Sequence, residues 1–217
     1  MNKTSQNYTA QPKTKIELKV LIEAEMKEHG VSCDLNHIDV SLISDFSLLF
    51  CTSDFNGNIS SWNTSSVVDM GGMFFLSEFK GDISNWNVSG VNNISAMFDG
   101  SEFNGDISKW DVSGVKKMYG TFQASKFNGN ISDWDVSNAE NMHCIFHSSR
   151  FIGDISRWNT SSASISDNMF SKSEMAKKIG IENPCIKQVR SHFLSLKLEA
   201  DLQKTLPRQG GLRKVRL

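Results

Sequence analysis

Residues 103–122 read FNGDISKWDVSGVKKMYGTF, and this stretch is one copy of a unit that recurs through most of the chain. The unit is marked most clearly by a tryptophan that returns every 24 residues, at Trp62, Trp86, Trp110, Trp134 and Trp158. A phenylalanine precedes each tryptophan by seven residues, and a glycine follows that phenylalanine by two. Five ungapped copies of one pattern indicate a repeat protein.

The array begins with half a unit and becomes irregular at its end. Ile38 stands where later units have tryptophan, and the apolar positions Val40 and Ile43 follow it in the same frame. After Trp158, Ser166 takes a position that is apolar in the earlier units, where it is held by Met70, Ile94, Met118 and Met142. Because terminal repeats face solvent or a cap, such irregularity is expected of them. We therefore assign residues 38–170 to a half unit followed by five full units.

Two hydrophobic periods occur within each unit. Trp110 and Val112 alternate with polar residues, which predicts a short strand with one buried face. The apolar residues that follow are spaced by three, which predicts a helix of at most two turns. The Phe-x-Gly-[Asp/Asn] step predicts a return turn in which glycine supplies a backbone conformation closed to other residues. A further position is predicted to be a tight spot, because it holds only small residues: Gly72, Ala96, Gly120 and Cys144.

Together these periods predict the fold class. One unit cannot bury its own apolar face, so the units are expected to stack. The expected result is an α/β solenoid, a leucine-rich-repeat-like array of short parallel strands and short helices, with helical caps at both ends.

The segments on either side of the array are expected to be caps and tails. Residues 1–13 are polar and predicted to be a disordered tail. Residues 14–37 are predicted to be an N-terminal helical cap, since Thr14 and Glu17 form a capping box and Gly30 can end the helix. Residues 171–206 are predicted to be a C-terminal helical cap, and residues 207–217 a basic mobile tail.

Charge and hydropathy restrict the classes of partner. The net charge is −1, but residues 38–170 contain 15 acidic and 7 basic side chains. An acidic central surface argues against nucleic acid, whose phosphates are bound by Lys and Arg. No run of apolar residues reaches the roughly 18 needed for a membrane span. The first residues show no signal peptide, which predicts a cytoplasmic protein or one exported by a non-classical route.

The sequence contains no recognisable catalytic or metal-binding motif, so no enzyme activity and no cofactor are predicted. The cysteines are scattered, without a CxxC pair. His143, Cys144 and His147 form H-C-x-x-H, but no fourth ligand accompanies them, and a metal site is not predicted there. Asx residues also follow the glycine of the Phe-x-Gly step, at Asn58, Asp82, Asp106, Asn130 and Asp154. These are interpreted as turn residues rather than calcium ligands.

The residues on either side of each tryptophan are the candidate partner-binding residues. The preceding position holds Ser61, Asn85, Lys109, Asp133 and Arg157. The following position holds Asn63, Asn87, Asp111, Asp135 and Asn159. Both would lie on the strand face, which is the usual binding surface of a solenoid. The preceding position varies in charge and is favoured for specificity. The following position is always Asn or Asp, so it is equally suited to bonding neighbouring backbone and organising the stack.

The F-N-G-D-I-S-x-W-D-V-S-x-V-x-x-M unit, together with the D-L-N-H-I-D-V-S start at Asp34, resembles the repeat of BspA-like leucine-rich-repeat-type surface proteins. Similar units occur in surface proteins and lipoproteins of mycoplasmas and other host-associated bacteria. The resemblance extends over residues 15–170. It implies a bacterial protein–protein interaction module without catalysis, located at the cell surface or secreted.

The sequence therefore predicts a monomeric binding module whose partner is a host or bacterial protein held along the strand face. Two alternatives are compatible with it. In one, the chain is a secreted effector whose residues 172–217 carry a separate activity. In the other, it is a cell-surface adhesin.

Overall fold

A computed structural model describes residues 8–205 of the chain. It contains three helices, α1 (Lys15–His29), α2 (Glu174–Ile179) and α3 (Ile186–Thr205). Between α1 and α2, residues 30–173 contain neither an α-helix nor a β-strand. The predicted fold class, a leucine-rich-repeat-like α/β solenoid of short parallel strands and short helices, is therefore wrong.

The repeat units stack through single-residue parallel bridges instead of a sheet. We call these residues the bridge ladder, and its members are spaced by 24 residues: Asp45, Asp69, Asn93, Lys117, Asn141 and Ile165. They lie in the part of the unit predicted to be helical. The segment around each tryptophan, predicted to be a strand, contains turns at residues 60–61 and 65–66 in the first full unit.

Hydrogen bonding explains why the predicted helix does not form. The amides of Met70, Gly72 and Phe74 donate to carbonyls of the next unit at 2.8–2.9 Å. The amide of Met73, between them, donates to the carbonyl of Met70 at 3.2 Å, within its own unit. An α-helix needs every amide to bond the carbonyl four residues earlier. Here every second amide donates to a carbonyl of the next unit instead. The apolar residues spaced by three therefore lie in a series of turns and not in a helix.

Each unit also contains two left-handed residues four positions apart. They are Gly72 and Leu76, Ala96 and Gly100, Gly120 and Ala124, and Cys144 and Ser148, with φ between 51° and 66°. A right-handed helix cannot continue through such residues. The first of each pair is the position predicted to be tight, yet Leu48 and Asn168 occupy it in the first and last units with φ of 57° and 54°. The residues at this position therefore share a left-handed backbone conformation and not a small side chain.

The glycine of the Phe-x-Gly step has a different role from the predicted one. None of Gly57, Gly81, Gly105, Gly129 and Gly153 has a positive φ, and none of them lies in a helix, a strand or a turn. A Cβ on Gly105 would lie 2.8 Å from the ring of Phe103. On Gly57 it would overlap the backbone carbonyl of Cys33. Glycine is needed here because the phenylalanine ring lies too close to the backbone for a side chain in every unit, and at Gly57 the preceding segment adds a second obstruction.

Parallel columns of aromatic rings form the core. One phenylalanine column has ring centroids 6.1–6.3 Å apart and contains Phe55, Phe79, Phe103, Phe127 and Phe151. A second column runs from Phe50 to Phe170 with centroids 5.5–5.8 Å apart. Each tryptophan indole nitrogen donates to a buried backbone carbonyl 27 residues earlier, at 2.9–3.1 Å. The tryptophans thus join consecutive units by both packing and hydrogen bonds.

Helices cover both ends of this stack. Thr14 caps the N-terminus of helix α1, and its hydroxyl accepts from the amide of Glu17 at 3.2 Å. The helix buries Leu18 and Ile22 in the core. At the other end, Met175 of α2 and Val189 of α3 are buried in the same core. Part of the predicted disordered tail is hydrogen-bonded in the structure. The amide of Thr9 donates to the carbonyl of His37, and the amide of Asp39 donates to the carbonyl of Ala10. Residues 1–7 and 206–217, including the predicted basic tail, lie outside the described residues.

Candidate functional site

The candidate partner-binding residues all lie on the surface beside the buried tryptophans. The pre-tryptophan ladder is Ser61, Asn85, Lys109, Asp133 and Arg157, and each of these residues is exposed. The post-tryptophan ladder is Asn63, Asn87, Asp111, Asp135 and Asn159, and each is also exposed. Equivalent tryptophans stack on one another, with ring centroids 6.3 Å apart between Trp62 and Trp86 and 6.5 Å apart between Trp134 and Trp158, so the residues beside them follow one another along the stack. The structure therefore brings the two ladders together as parallel columns along the stack.

The post-tryptophan ladder is fixed by local hydrogen bonds. In every unit its side-chain oxygen accepts from the backbone amide of the serine two residues later, at 3.0–3.2 Å. Bonds from the Ser113 hydroxyl and amide lower the pKa of Asp111, and equivalent bonds from Ser137 lower the pKa of Asp135. One oxygen of each residue is therefore occupied in a turn, as the backbone-organising alternative predicts.

The pre-tryptophan ladder varies in charge and has one ion pair. Arg157 Nη1 lies 2.7 Å from Asp133 Oδ1, with both side chains more than two-thirds exposed. Exposed pairs of this kind contribute little to stability. The charges at these positions can therefore change without disturbing the core, as expected of a surface that determines specificity.

The Asx residues that follow the glycine of the Phe-x-Gly step are turn residues in the structure. The side-chain oxygens of Asp82, Asp106 and Asp154 accept from the amide of the serine two residues later at 2.8–2.9 Å. Those bonds lower the pKa of Asp82 and Asp106. Within residues 8–205 no group of three or more His, Cys, Asp or Glu side chains is arranged to hold a metal ion.

The H-C-x-x-H segment is part of the stack. The His143 ring stacks on Tyr119 with centroids 5.7 Å apart, and Cys144 is one of the left-handed residues. Burial raises the pKa of the Cys144 thiol and lowers the pKa of His147. Both shifts favour the neutral forms, and a thiol must lose its proton to bind a metal.

Sequence reasoning missed one buried carboxyl group, that of Asp99. Its side chain is 9% exposed, and burial raises its pKa to about 6. Gln123 Nε2 of the next unit donates to its Oδ2 at 3.2 Å. An alignment of the units could have indicated this group, since the same position holds Phe75 one unit earlier and His147 two units later.

The mutation Asp99→Asn is expected to raise the midpoint of urea unfolding near pH 7 and to change it little at about pH 4. An unfolded aspartate has a pKa of about 3.9, so the folded state, with its raised pKa, binds this proton more tightly. The resulting stability is complete below about pH 4 and is lost as pH rises through the folded pKa of about 6. Asp54→Asn, at an exposed position, is the control. Equal midpoint shifts for both variants at both pH values would contradict the prediction.

No helix in the part of the chain that the structure describes is long and apolar enough to cross a bilayer. The model of a family described as "Mycoplasma protein of unknown function, DUF285" matches residues 21–102 and 75–183. The two matches overlap and together include residues 21–29 of α1, the repeat units and α2. A search of the curated proteins finds no significant match. A search of the solved structures finds none either.

Proposed function

We propose that this chain, which belongs to the Mycoplasma protein family DUF285, is a non-catalytic module that binds a partner protein. In this proposal the binding surface consists of the pre-tryptophan ladder and the post-tryptophan ladder. One observation carries the proposal: beside every buried tryptophan the stack presents an exposed position, which is uncharged in the first two full units and positive, negative and positive in the next three.

The two ladders have complementary roles in this proposal. The post-tryptophan residues are held in turns by the serines that follow them, so they form a fixed polar border. The pre-tryptophan residues carry the differences, with Lys109, Asp133 and Arg157 in three successive units. A partner that lies along the stack meets an ordered pattern of charges, and charge pattern contributes mainly to specificity and association rate.

Packing at the C-terminal end supports a module whose end is covered by its own helices. Met175, Val189 and Phe193 belong to the core that begins at the other end of the chain. Lys197 Nζ of α3 lies 2.9 Å from Asp154 of the last unit. These contacts favour a cap over the alternative in which residues 172–217 carry a separate effector activity. The kinship with BspA-like surface-protein repeats, and a surface or secreted location, are part of the proposal.

A triple charge reversal tests the proposed surface. The full chain and its Lys109→Glu, Asp133→Lys, Arg157→Glu variant are compared as baits for bacterial and host-cell proteins. A true partner is expected to be retained at least about tenfold less by the variant, the effect of about 1.4 kcal/mol of lost binding energy. The opposite charges at positions 133 and 157 are exchanged rather than removed, so their ion pair is preserved.

The matched control is a charge exchange elsewhere on the surface. Lys116 and Glu140 form an exposed ion pair at 3.2 Å, and the variant with Lys116→Glu and Glu140→Lys is expected to retain the partner. Equal retention by the parent chain and the triple variant would move the binding site away from the two ladders.

A further inference from the structure

The bridge ladder has an unpaired C-terminal end. Each inner member bridges a residue on both sides, whereas Ile165 bridges only Asn141 within the described residues. The inner side of Ile165 is fully bonded: its carbonyl accepts from Met142 at 2.8 Å, and its amide donates to Glu140 at 3.4 Å. On the outer side, the carbonyl of Ser164 is equivalent to that of Glu140, and the amide of Ser166 is equivalent to that of Met142. These are the two groups that bond Ile165 from the preceding unit.

The missing hydrogen bonds extend along the last unit. In every earlier unit four alternate amides donate to the next unit, as those of Met142, Cys144, Phe146 and Ser148 do at 2.8–3.1 Å. The equivalent amides of the last unit belong to Ser166, Asn168, Phe170 and Lys172. Within residues 8–205, none of these amides has a hydrogen-bond acceptor. Unpaired rows of this kind are templates for pairing with another chain.

Helices α2 and α3 cover only part of this end. Met175 of α2 and Val189 of α3 are buried in the core cluster that contains Phe170, and Asn183 Nδ2 donates to Asn168 Oδ1 at 2.9 Å. Even with this contact at Asn168, residues 164–168 are all exposed. We call residues 164–168 the open edge. Ile165 within it is 46% exposed and is the only apolar member of the bridge ladder, whose other five members are polar or charged.

We propose that the open edge binds an extended segment of a partner protein, which adds to the bridge ladder as a parallel seventh rung. The internal interfaces define this occupant, because the same hydrogen-bond pattern already joins each pair of successive units. In this arrangement the carbonyl of the segment's bridging residue accepts from the amide of Ser166, and the amide of that residue donates to the carbonyl of Ser164. The carbonyl of the segment residue two positions later accepts from the amide of Asn168. This is addition of a peptide to an exposed backbone edge.

Two other occupants fit the edge less well. Another complete repeat unit needs an apolar core to continue, but Ser166 holds the position of the core residue Met142. A second copy of the chain would have to bring Asp45 to the open edge. Helix α1 covers that end, with Lys15 Nζ 3.0 Å from Asp45 Oδ2. A helix is about 10 Å wide, whereas paired backbones lie about 4.8 Å apart.

The side chains at the open edge specify the chemistry of the segment. A residue that bridges Ile165 is expected to be apolar, because equivalent positions in neighbouring units touch, as Asp69 and Asn93 do at 3.0 Å. Two residues later the segment lies beside Asp167, which is exposed, and a basic residue fits there. The proposed partner segment therefore has an apolar residue, any residue, and then Lys or Arg.

A labelled peptide tests this proposal on the full-length protein. The probe is the chain's own segment 113–125, SGVKKMYGTFQAS, synthesised with Lys117→Val and Tyr119→Lys and measured by fluorescence anisotropy. Saturable binding is expected. A second peptide that is N-methylated at the residue replacing Lys117 keeps all side chains but loses the donor to Ser164, and its Kd is expected to rise by about tenfold. Equal binding of both peptides would overturn the proposal.

Variants of the protein locate the peptide. Ile165→Lys is expected to abolish saturable binding. Asp167→Lys is expected to weaken the probe by about tenfold and to restore binding of a probe with Tyr119→Glu. The Lys109→Glu, Asp133→Lys, Arg157→Glu variant is expected to bind the probe as the parent does, so this result is independent of the proposed ladder surface. Matching thermal unfolding of the variants and the parent verifies that the edge mutations leave the fold intact.

Three further results would overturn the proposal. Binding that survives Ile165→Lys would place the peptide elsewhere. A peptide of residues 206–217 that displaces the probe and binds more tightly would identify the chain's own C-terminal segment as the occupant. Concentration-dependent self-association in sedimentation, abolished by Ile165→Lys, would identify a second copy.

Discussion

Trp110→Ala is expected to lower the free energy of unfolding by about 3–5 kcal/mol. The indole is 4% exposed, and its nitrogen donates to the carbonyl of Ile83 at 3.1 Å. Its ring lies 6.3 Å from that of Phe98. Removing it leaves a cavity in the middle of the stack and a buried carbonyl without its donor, and both changes destabilise the fold.

Urea unfolding followed by circular dichroism measures this effect, with Lys109→Ala as the adjacent control. Lys109 is exposed, so its loss is expected to change stability by less than about 0.5 kcal/mol. The same pair of changes is available in the neighbouring unit, at Trp134 and Asp133. A cooperative transition that Trp110→Ala leaves unmoved would show that the tryptophan column does not hold the units together.

Gly57→Ala is expected to destabilise the protein by roughly 2–3 kcal/mol. The added methyl group would overlap the carbonyl of Cys33 and lie 2.7 Å from the ring of Phe55. The backbone of Cys33 is tied to the same segment, since its carbonyl accepts from the amide of Asn58 at 3.1 Å. Neither neighbour can move without breaking a bond or displacing a ring of the aromatic core.

Gly90→Ala is the matched control, because a Cβ there meets nothing closer than the carbonyl of Val67 at 3.4 Å. Thermal unfolding of the two variants is expected to separate them clearly, with Gly90→Ala close to the parent protein. If Gly57→Ala were as stable as Gly90→Ala, the close approach of the phenylalanine ring to the glycine would not explain why glycine recurs at this position.

The sequence was sufficient to predict which residues form columns in the core. A tryptophan that recurs every 24 residues predicts that equivalent tryptophans stack on one another. The rings of Trp62 and Trp86 are nearly parallel, with centroids 6.3 Å apart. The helix that begins after Thr14 was also readable, because its capping bond to Glu17 joins residues only three apart. In both cases the interaction that determines the structure joins residues that are close in sequence or exactly one period apart, so it can be recognised in the sequence.

The backbone path within a unit left no such mark. Apolar residues spaced by three occur in an α-helix and equally in a chain of turns, so Val115 and Met118 could not distinguish the two. The choice depends on where the amides of Met118 and Gly120 donate, which is to the next unit. Left-handed conformations at Ala96 and Cys144 were hidden for a related reason, since these residue types do not predict a positive φ.

The exposure of the candidate residues follows from the sequence. Lys109 and Asp133 directly precede the buried Trp110 and Trp134, and this alternation predicts that both lie on the surface. The ion pair between Asp133 and Arg157 depends on the side-chain conformations of two residues in neighbouring units, which the sequence pattern does not indicate. The open edge at Ile165 was foreseen only as a decay of the repeat at Ser166, because an unpaired amide is a property of the backbone, which all residues but proline share.

The bond from each tryptophan to a carbonyl 27 residues earlier also bears on how the chain folds. Every contact between units closes a loop of nearly the same length, so each docking step costs a similar amount of chain entropy. Folding can then nucleate wherever two regular units meet and propagate outward one unit at a time. Hydrogen exchange is expected to be slowest around Trp110. Among the repeat units it is expected to be fastest in the last one, because the amide of Ser166 donates to no backbone carbonyl within residues 8–205.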